Sequence, residues 1–440
     1  MAIRRIPALS QCMIVKNEEK NIRRALSWGK DIMFEQIVVD TGSTDRTVDI
    51  AREMGATVYD FKWIDDFSAA KNFAIDKAKG SWIAFLDADE YVVPEQVPKI
   101  LPFLRKLENT DYNMVLTNWL QLDDDDMVHS GGTQCRIFRN LPEIRYKRKI
   151  HEDLHVKGGE RCFADGRETF AIMHKSYFLK ENQNDAKSRR NLPIILKELE
   201  ENPDDYDMMG YLGDAYQSSG EADEAEKWYR KAISLFPDVL NPFDQRSAQT
   251  YWTLMYMLMP DSSEKLEEIY KEAHRKLPYD ADFDYILGRH YMNKGRYDKA
   301  VEHLEQAISI VEEHGNVNRS MLTSGNLKQV WQYLTMCYYK KRDLSACVSS
   351  AAAILKEDPY MMGTLRVLLA AFRDEFRKNG EPKTDEAFTF LQRIYDMEKQ
   401  KDRMFLLRAV LTECYDELAE KLRAEIPAEE VEILEASMKT

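Results

Sequence analysis

Trp82-Ile-Ala-Phe-Leu-Asp87-Ala-Asp89-Glu90 is the stretch on which the reading of this chain turns. Five apolar residues in a row have the length of a strand buried on both faces, and such strands belong to parallel sheets. Acidic residues follow at once. In a parallel sheet the carboxyl ends of the strands face the ligand crevice. Asp87 and Asp89 stand two apart at that end, so both carboxylates can point into one crevice. Two hard oxygen ligands with neither cysteine nor histidine beside them suit Mg2+ or Mn2+ rather than zinc. An Asp-x-Asp alone is common in solvated loops; its place after a buried strand gives it weight.

The same alternation extends toward the N-terminus. Leu9–Val15 is an apolar run of strand length, and Glu18–Trp28 follows with Ile22, Ala25 and Leu26 at helical spacing. Gln36–Asp40 and Thr57–Phe61 read as strands. Thr44–Met54 and Phe67–Lys79 read as helices, stopped by Gly55 and Gly80. Strand and helix in alternation predict βαβ units and a mostly parallel, Rossmann-like α/β sheet. Three polar loops then fall at strand ends: Lys16-Asn17-Glu18-Glu19, Asp40 to Asp45, and Asp87 to Glu90. Each alone reads as a helix cap, and Ser43, Thr44 and Asp45 all suit an N-cap. Convergence of three on one rim points instead to a ligand site.

Four stretches in order, Cys12-Met-Ile-Val-Lys-Asn-Glu-Glu19, Ile37-Val-Val-Asp-Thr-Gly-Ser-Thr-Asp-Arg-Thr47, Asp66-Phe-Ser-Ala-Ala-Lys-Asn72 and Phe85-Leu-Asp-Ala-Asp-Glu90, resemble successive motifs of family 2 glycosyltransferases. The resemblance implies a GT-A catalytic domain over residues 1–185 and a nucleotide-sugar donor, with UDP the expected carrier. By the same resemblance Val15 and the Asn17-Glu18 segment line the nucleobase site, and Asp40 contacts the nucleoside. Asp87 faces the ribose and the metal shell, and Asp89 ligates the ion on the diphosphate. Ser43 and Lys71, in the second and third motifs, are further candidate donor contacts. Lys71 stands where the family more often carries arginine; lysine keeps the charge and loses the planar fork.

Farther along, Pro94–Leu107 predicts a helix, Asn113–Gln121 a strand, Asp123 to Asp126 a solvated turn, and Arg136–Arg139 a strand. Arg145-Tyr-Lys-Arg-Lys-Ile-His151-Glu152 follows. Inverting transfer needs a carboxylate to take the acceptor's proton, and Glu152 is the candidate base; relatives with helical repeats carry a similar Ile-His-Glu. The alternative is a surface salt bridge from Glu152 to Arg148 or Lys149. His151 either orients Glu152 or packs in the core. His174 either completes the metal shell, as a late histidine does in some GT-A enzymes, or is a satisfied core histidine. Lys187, Arg189 and Arg190 either neutralise the departing diphosphate or form a solvated helix face.

Beyond residue 200 the sequence repeats itself. Leu212, Gly213, Tyr216, Gly220, Ala225, Tyr229, Ala232 and Pro237 resemble one tetratricopeptide repeat; Leu287, Gly288, Tyr291, Gly295, Ala300, Leu304 and Ala307 resemble another. Degenerate copies fit Ala273 with Pro278, and Leu334 through Pro359. Residues 186–360 are therefore expected to form stacked helix pairs, whose tyrosine and alanine stripe is core packing first. Binding would fall on the concave face and in the inserts Val239–Gln245 and Gly315–Gly325. Residues 361–440 read as further helices, Leu365–Arg377, Asp385–Lys399 and Met404–Ala424, serving as a cap or a homodimer surface.

Bulk properties narrow the class. The 440 residues suit two or three domains, and 44% hydrophobic with 31% charged residues is ordinary for a soluble globular chain. A net charge of −14 argues against a general nucleic-acid binder. Six scattered cysteines, none in a C-x-x-C pair, fit reduced thiols in the cytoplasm. No stretch has the length of a transmembrane helix, and the early apolar run lacks a cleavage site. The expected function is an inverting, metal-dependent glycosyltransferase acting on a peptide or protein, similar in architecture to bacterial enzymes that modify bacteriocin peptides. The alternatives are a cell-envelope glycan acceptor and a non-catalytic interaction scaffold. A nucleotidyltransferase would carry a glycine-rich loop after strand one, where this chain has Lys16-Asn-Glu-Glu19.

Overall fold

A computed structural model describes residues 8–123, 125–175, 181–241, 245–260, 262–314, 320–379 and 384–438. The chain divides into two compact units, Met1–Ala225 and Glu226–Thr440. The first is α/β and the second all helical.

The first unit opens with β1 (Leu9–Val15), α1 (Ile22–Ser27), β2 (Met33–Asp40), α2 (Thr47–Glu53), β3 (Thr57–Asp60), α3 (Phe67–Lys77) and β4 (Trp82–Phe85). It continues with β5 (Glu90–Val92), α4 (Val97–Leu107), β6 (Met114–Leu122), β7 (Val128–Arg139), β8 (Ile144–Lys147), β9 (Asp153–Val156), β10 (Phe163–Asp165) and β11 (Ala171–His174), then α5 (Glu181–Glu201) and α6 (Tyr206–Ser218). One sheet runs in the order β3-β2-β1-β4-β7-β6-β11-β5, with β10 also on β6; β8 and β9 form a separate antiparallel pair. Strands β3, β2, β1 and β4 are parallel, as expected. The other half is mixed, because β7 runs antiparallel to both β4 and β6 and β5 antiparallel to β11.

Continuous apolar runs follow from burial on both faces. Cys12 and Ile14 of β1 pack with Ile75 of α3, while Met13 and Val15 pack with Leu26 of α1 and Ala51 of α2. Trp82 and Ala84 of β4 meet α4 through Ile100 and Leu104. Three expectations change. Helix α1 begins at Ile22 rather than Glu18, because side chains of the second loop hold the backbone amides of Asn17, Glu18 and Glu19 in a turn. Strand β7 begins eight residues before Arg136, its start disguised by Gly131-Gly132; a Cβ on Gly131 would lie 2.8 Å from Leu120 Cδ2. Gly80 does not stop α3, which ends at Lys77 with Ala78 as its cap. It lets chains approach closely, since a Cβ there would lie 2.6 Å from the Ala8 carbonyl oxygen.

Helix α7 (Ala222–Ser234) crosses the division between the units. The helical unit continues with α8 (Gln245–Leu258), α9 (Ser263–Lys276), α10 (Ala281–Asn293), α11 (Tyr297–His314), α12 (Met321–Gly325), α13 (Leu327–Lys341) and α14 (Leu344–Glu357). Last come α15 (Met362–Asn379), α16 (Thr384–Leu391), α17 (Gln400–Thr412), α18 (Asp416–Glu425) and α19 (Ala428–Ser437). The repeat residues do core work: Tyr291, Ala300, Leu304 and Ala307 are buried, and a Cβ on Gly288 would lie 2.8 Å from Leu304 Cγ. Of the two expected binding inserts, residues 242–244 and 315–319 lie outside the described residues. The described end of the second insert is structural: buried Asp282 accepts from the Leu322 and Thr323 amides and the Thr323 hydroxyl. Burial, with Asp280 beside it, pushes the Asp282 carboxyl up to about 7. The expected helix Met404–Ala424 is two helices, broken where Cys414 takes a φ of +53°. Helices α15 to α19 share one apolar core with the end of α14, including Leu368, Leu391, Leu407, Leu418 and Leu434.

Gly220 and Gly295 stand just past the ends of α6 and α10 with φ of +81° and +71°, the left-handed turn that glycine adopts without strain. Arg342 holds the equivalent place after α13 with φ of +65°. A non-glycine residue there costs about 1 kcal/mol or more. The Arg342–Asp374 pair returns little, its arginine being 70% exposed. Arg342→Gly is therefore expected to raise stability by about 1 kcal/mol, read by urea unfolding.

Candidate functional site

The first two polar loops lock onto each other. Asn17, at a φ of +58°, donates its amide to Ser43 Oγ at 2.9 Å and accepts at Oδ1 from the Thr44 amide at 2.8 Å. The Glu18 amide donates to Thr47 Oγ1 at 2.7 Å. Asp40 is buried and accepts from the amides of Gly42 at 3.1 Å and Ser43 at 3.0 Å. Asn17, Asp40 and Ser43 thus join the two loops at the rim, outside the lining of the crevice below.

That crevice, about 1080 Å3, collects most of the remaining candidates: Val15, Glu18, Lys71, Asp87, Asp89, His151, Glu152, His174 and Arg190 all line it. Trp63 and Phe67 line it as well, their rings meeting edge to face at 4.7 Å, with the Arg190 guanidinium 5.5 Å from the Phe67 ring. The side chains of Lys187 and Arg189 lie outside the described residues.

Two residues without an assigned role in the sequence reading organise the floor. Arg136, on β7, donates to Asp87 Oδ2 at 3.0 Å and to Glu90 Oε1 at 2.5 Å. Glu90 has no exposed side-chain area; it also accepts from Trp119 Nε1 at 2.8 Å and, through Oε2, from the Asp87 amide at 2.9 Å. Burial opposes charge on Asp87, yet Arg136, with Lys71 and His174 farther off, outweighs it and holds that carboxyl below its usual range. On Glu90 burial outweighs Arg136 and raises the carboxyl. Glu90 was in view beside the two aspartates; Arg136 was legible only as a lone cation in a strand otherwise headed for the core.

Asp89 meets His174: Oδ2 and Nε2 are 3.1 Å apart. The imidazole stacks on Trp119 with ring centroids 4.7 Å apart, so the indole that bonds Glu90 also sets the histidine plane. His174 Nδ1 is buried without a hydrogen-bond partner among the described residues. A carboxylate and an imidazole in contact fit a shared divalent ion whose other positions are left to phosphate oxygens and water. Asp87 does not complete a set of three with them. Arg136 claims it, and the described residues contain no group of three or more His, Cys, Asp or Glu arranged to hold a metal.

Glu152 is ion-paired with Lys71 of α3, and both side chains are largely buried, at 14% and 6% exposure. The Lys71 ammonium also sits 4.9 Å from the Tyr146 ring and 5.5 Å from the Phe85 ring. This corrects the salt bridge considered from sequence. Arg148 pairs with Asp205 and Asp207, and Lys149 with Glu201, whereas Glu152 faces inward. The turn responsible has two left-handed residues, Arg148 at +71° and His151 at +50°. His151 stacks flat on Tyr211, centroids 3.6 Å apart.

A buried arginine shared by two acids makes a sharp prediction. Asp87, with its lowered pKa, contributes stability above the usual carboxylate range and loses it as pH falls through its folded value; Glu90, raised, works the other way. Arg136→Met removes the cation that both carboxylates contact and is expected to cost about 3 kcal/mol or more near neutral pH. The deficit should shrink toward pH ~4, where both acids take up protons. Urea unfolding across that range reads it.

Comparison with known proteins places two family profiles on the chain. Residues 10–163 match the Glycosyl transferase family 2 profile, and residues 209–239 and 285–314 match the Tetratricopeptide repeat profile. A TPR repeat-containing protein of Synechococcus elongatus is 32% identical over 51% of this chain and 56% of its own length. The SPbeta prophage-derived glycosyltransferase SunS of Bacillus subtilis is 29% identical over 52% of this chain and 54% of its own. The chain thus spans little more than half the length of these curated relatives. Glucosyl-3-phosphoglycerate synthase of Mycobacterium tuberculosis, solved with Mn2+, UDP and glucosyl-3-phosphoglycerate, aligns over 26% of this chain and 44% of its own at 23% identity, with a TM-score of 0.23. The chain carries a family 2 glycosyl transferase domain followed by tetratricopeptide repeats.

Proposed function

We propose that this protein is an inverting glycosyltransferase that moves a sugar from a nucleotide sugar, with UDP as carrier, to a side chain of a peptide or protein, using Mg2+ or Mn2+. The observation that carries the reading is one crevice lined by three side-chain pairs, Asp89 with His174, Asp87 with Arg136, and Glu152 with Lys71. Each suits a different part of the task.

Asp89 and His174 would hold the divalent ion, whose contribution when bound is to neutralise charge on the departing diphosphate. Asp87, fixed by Arg136, is placed to accept from the donor's ribose hydroxyls. Val15 and Glu18 line the crevice on the nucleoside side. Glu152 takes the proton of the acceptor as it attacks the face of the sugar opposite the leaving group. Lys71 positions the Glu152 carboxylate toward the crevice while it waits. The Trp63 and Phe67 wall excludes water from the reacting carbon, which otherwise hydrolyses the donor. The peptide acceptor rests on the resemblance in architecture to bacterial glycosyltransferases of bacteriocin peptides, such as the sublancin S-glycosyltransferase. Scattered free cysteines and the absence, among described helices, of any long and apolar enough to cross a membrane accord with action in the cytoplasm.

UDP release from a panel of UDP-sugars with Mn2+ or Mg2+ tests the donor half. One sugar should support metal-dependent release, reduced about 100-fold or more in Asp89→Ala. With a peptide acceptor, Glu152→Gln should lower kcat for transfer by about 10²–10⁴ while donor affinity is kept. Absence of both turnover and calorimetric binding across the panel would contradict the UDP assignment.

A further inference from the structure

Strand β7 is paired along one side only for most of its length. On that side β6 follows it from Val128 to Phe138. On the other side β4 pairs with Ile137, Phe138 and Arg139 alone, because β4 ends at Phe85. From Val128 to Arg136 no described strand covers this second side. Other uncovered runs among the described strands, such as the outer edges of β3 and β8, are four residues or shorter.

The cause is local. The register of β6 on β7 passes from Val115 opposite Ile137 to Leu116 opposite Cys135, so Arg136 is the extra residue of a bulge. A bulge bends its strand and re-aims a side chain. Here it turns the guanidinium onto Asp87 and Glu90, just past the end of β4. Beyond the bulge the strand is open. Val128 is 55% exposed, Ser130 to Thr133 are all exposed, and a Cβ on Gly132 would meet nothing within 4 Å. In an antiparallel pair alternate residues turn their N–H and C=O groups away from the partner, so this run presents a row of uncovered main-chain donors and acceptors. Folded proteins commonly guard such an edge with lysine, proline or a covering element. Val128-His-Ser-Gly-Gly-Thr-Gln134 has neither lysine nor proline. The run leads into the crevice, whose lining includes Gln134, Cys135 and Arg136 together with Asp89 and Glu152.

We infer that this edge is where the acceptor docks: an extended peptide adds to β7 as a further strand and carries its reacting side chain to the crevice. The inference rests on the peptide acceptor proposed above and names how that acceptor is held. The edge selects its occupant through the main chain, since another extended chain supplies the matching row of acceptors and donors. Ser130, Gly131, Gly132 and Thr133 are small and uncharged, so they let a backbone come close and ask little of its sequence. At about 3.3 Å per residue the run from Val128 to Gln134 is roughly 20 Å long, room for about six residues of the peptide.

The test selects displayed random dodecapeptides on the immobilised full chain, after removing those that bind an edge-blocked variant. Adjacent strand residues turn their N–H groups in opposite directions, so one of Gly132→Pro and Thr133→Pro leaves the pairing with β6 intact. The variant whose thermal unfolding stays close to wild type serves as the block. The best peptide, labelled and followed by anisotropy, should bind that variant at least tenfold more weakly. Single N-methyl groups along the peptide backbone should weaken binding at least tenfold at alternate positions and leave the intervening ones unchanged. Hydrogen exchange of the wild type reads the same claim without a variant, and decides it if both prolines unfold the chain: bound peptide should slow the amides of residues 128–136. No surviving peptide, N-methyl effects without a period of two, or protection confined to other segments would overturn the inference. No nucleotide sugar is present, so strand addition without UDP turnover would leave the edge standing and remove the donor reading, and turnover without strand addition the reverse.

Discussion

The first unit depends on one buried arginine. Arg136 lies on β7 with 14% of its side chain exposed, and it binds Glu90, which has none, and Asp87 at the end of β4. A charge in the interior is tolerated only with a partner and satisfied hydrogen bonds. Glu90 must therefore sit where β5 leaves the acidic loop, and the loop must turn there. From Glu90 the constraint passes to Trp119 on β6, and from the Trp119 ring to His174 on β11. Strands β7, β5, β6 and β11 and the end of β4 are thus tied by one network, and its outer end is the imidazole touching Asp89. The geometry of the two aspartates is a consequence of what lies beneath them.

A second ionic contact closes the crevice from the other side. Lys71 comes from α3 and Glu152 from the turn between β8 and β9, elements about eighty residues apart in the chain. The turn needs Arg148 and His151 in the left-handed region. Arg148 is held there by Asp205 and Asp207, and the His151 ring by its stack on Tyr211. Helix α6 of the first unit therefore supports the turn that carries Glu152, the residue proposed as base. Strained backbone fixed by neighbouring contacts is a common way to hold a reacting group still.

The parts that could be read from sequence were those set by local periodicity. The strands of the parallel half, helices α2 and α3, the paired aspartates and the two clear repeats all follow from short patterns, because burial on both faces leaves an unbroken apolar run and stacked helices leave a spaced one. The parts that could not be read were set by distant partners. Nothing near Glu152 names Lys71, nothing near Asp87 names Arg136, and β7 hid behind Gly131-Gly132 because its fit depends on Leu120 across the sheet. Asn17, Ser43 and Asp40 were legible as polar loop residues, but their mutual hydrogen bonds appear only once β1 and β2 are side by side. In the helical unit, Arg342 escaped notice for the opposite reason: it breaks the glycine pattern at a place where the backbone does not change.

The central claim is that Asp89 and His174 form one half of a divalent-ion site for a nucleoside diphosphate. Calorimetric titration of UDP into the full chain, with and without Mn2+, tests it without requiring an acceptor or turnover. The account predicts binding that strengthens at least tenfold with Mn2+ in the wild type, and a loss of that dependence in His174→Phe with thermal unfolding unchanged. Equal UDP affinity with and without the ion, or a His174→Phe variant that keeps the full Mn2+ effect, would contradict it.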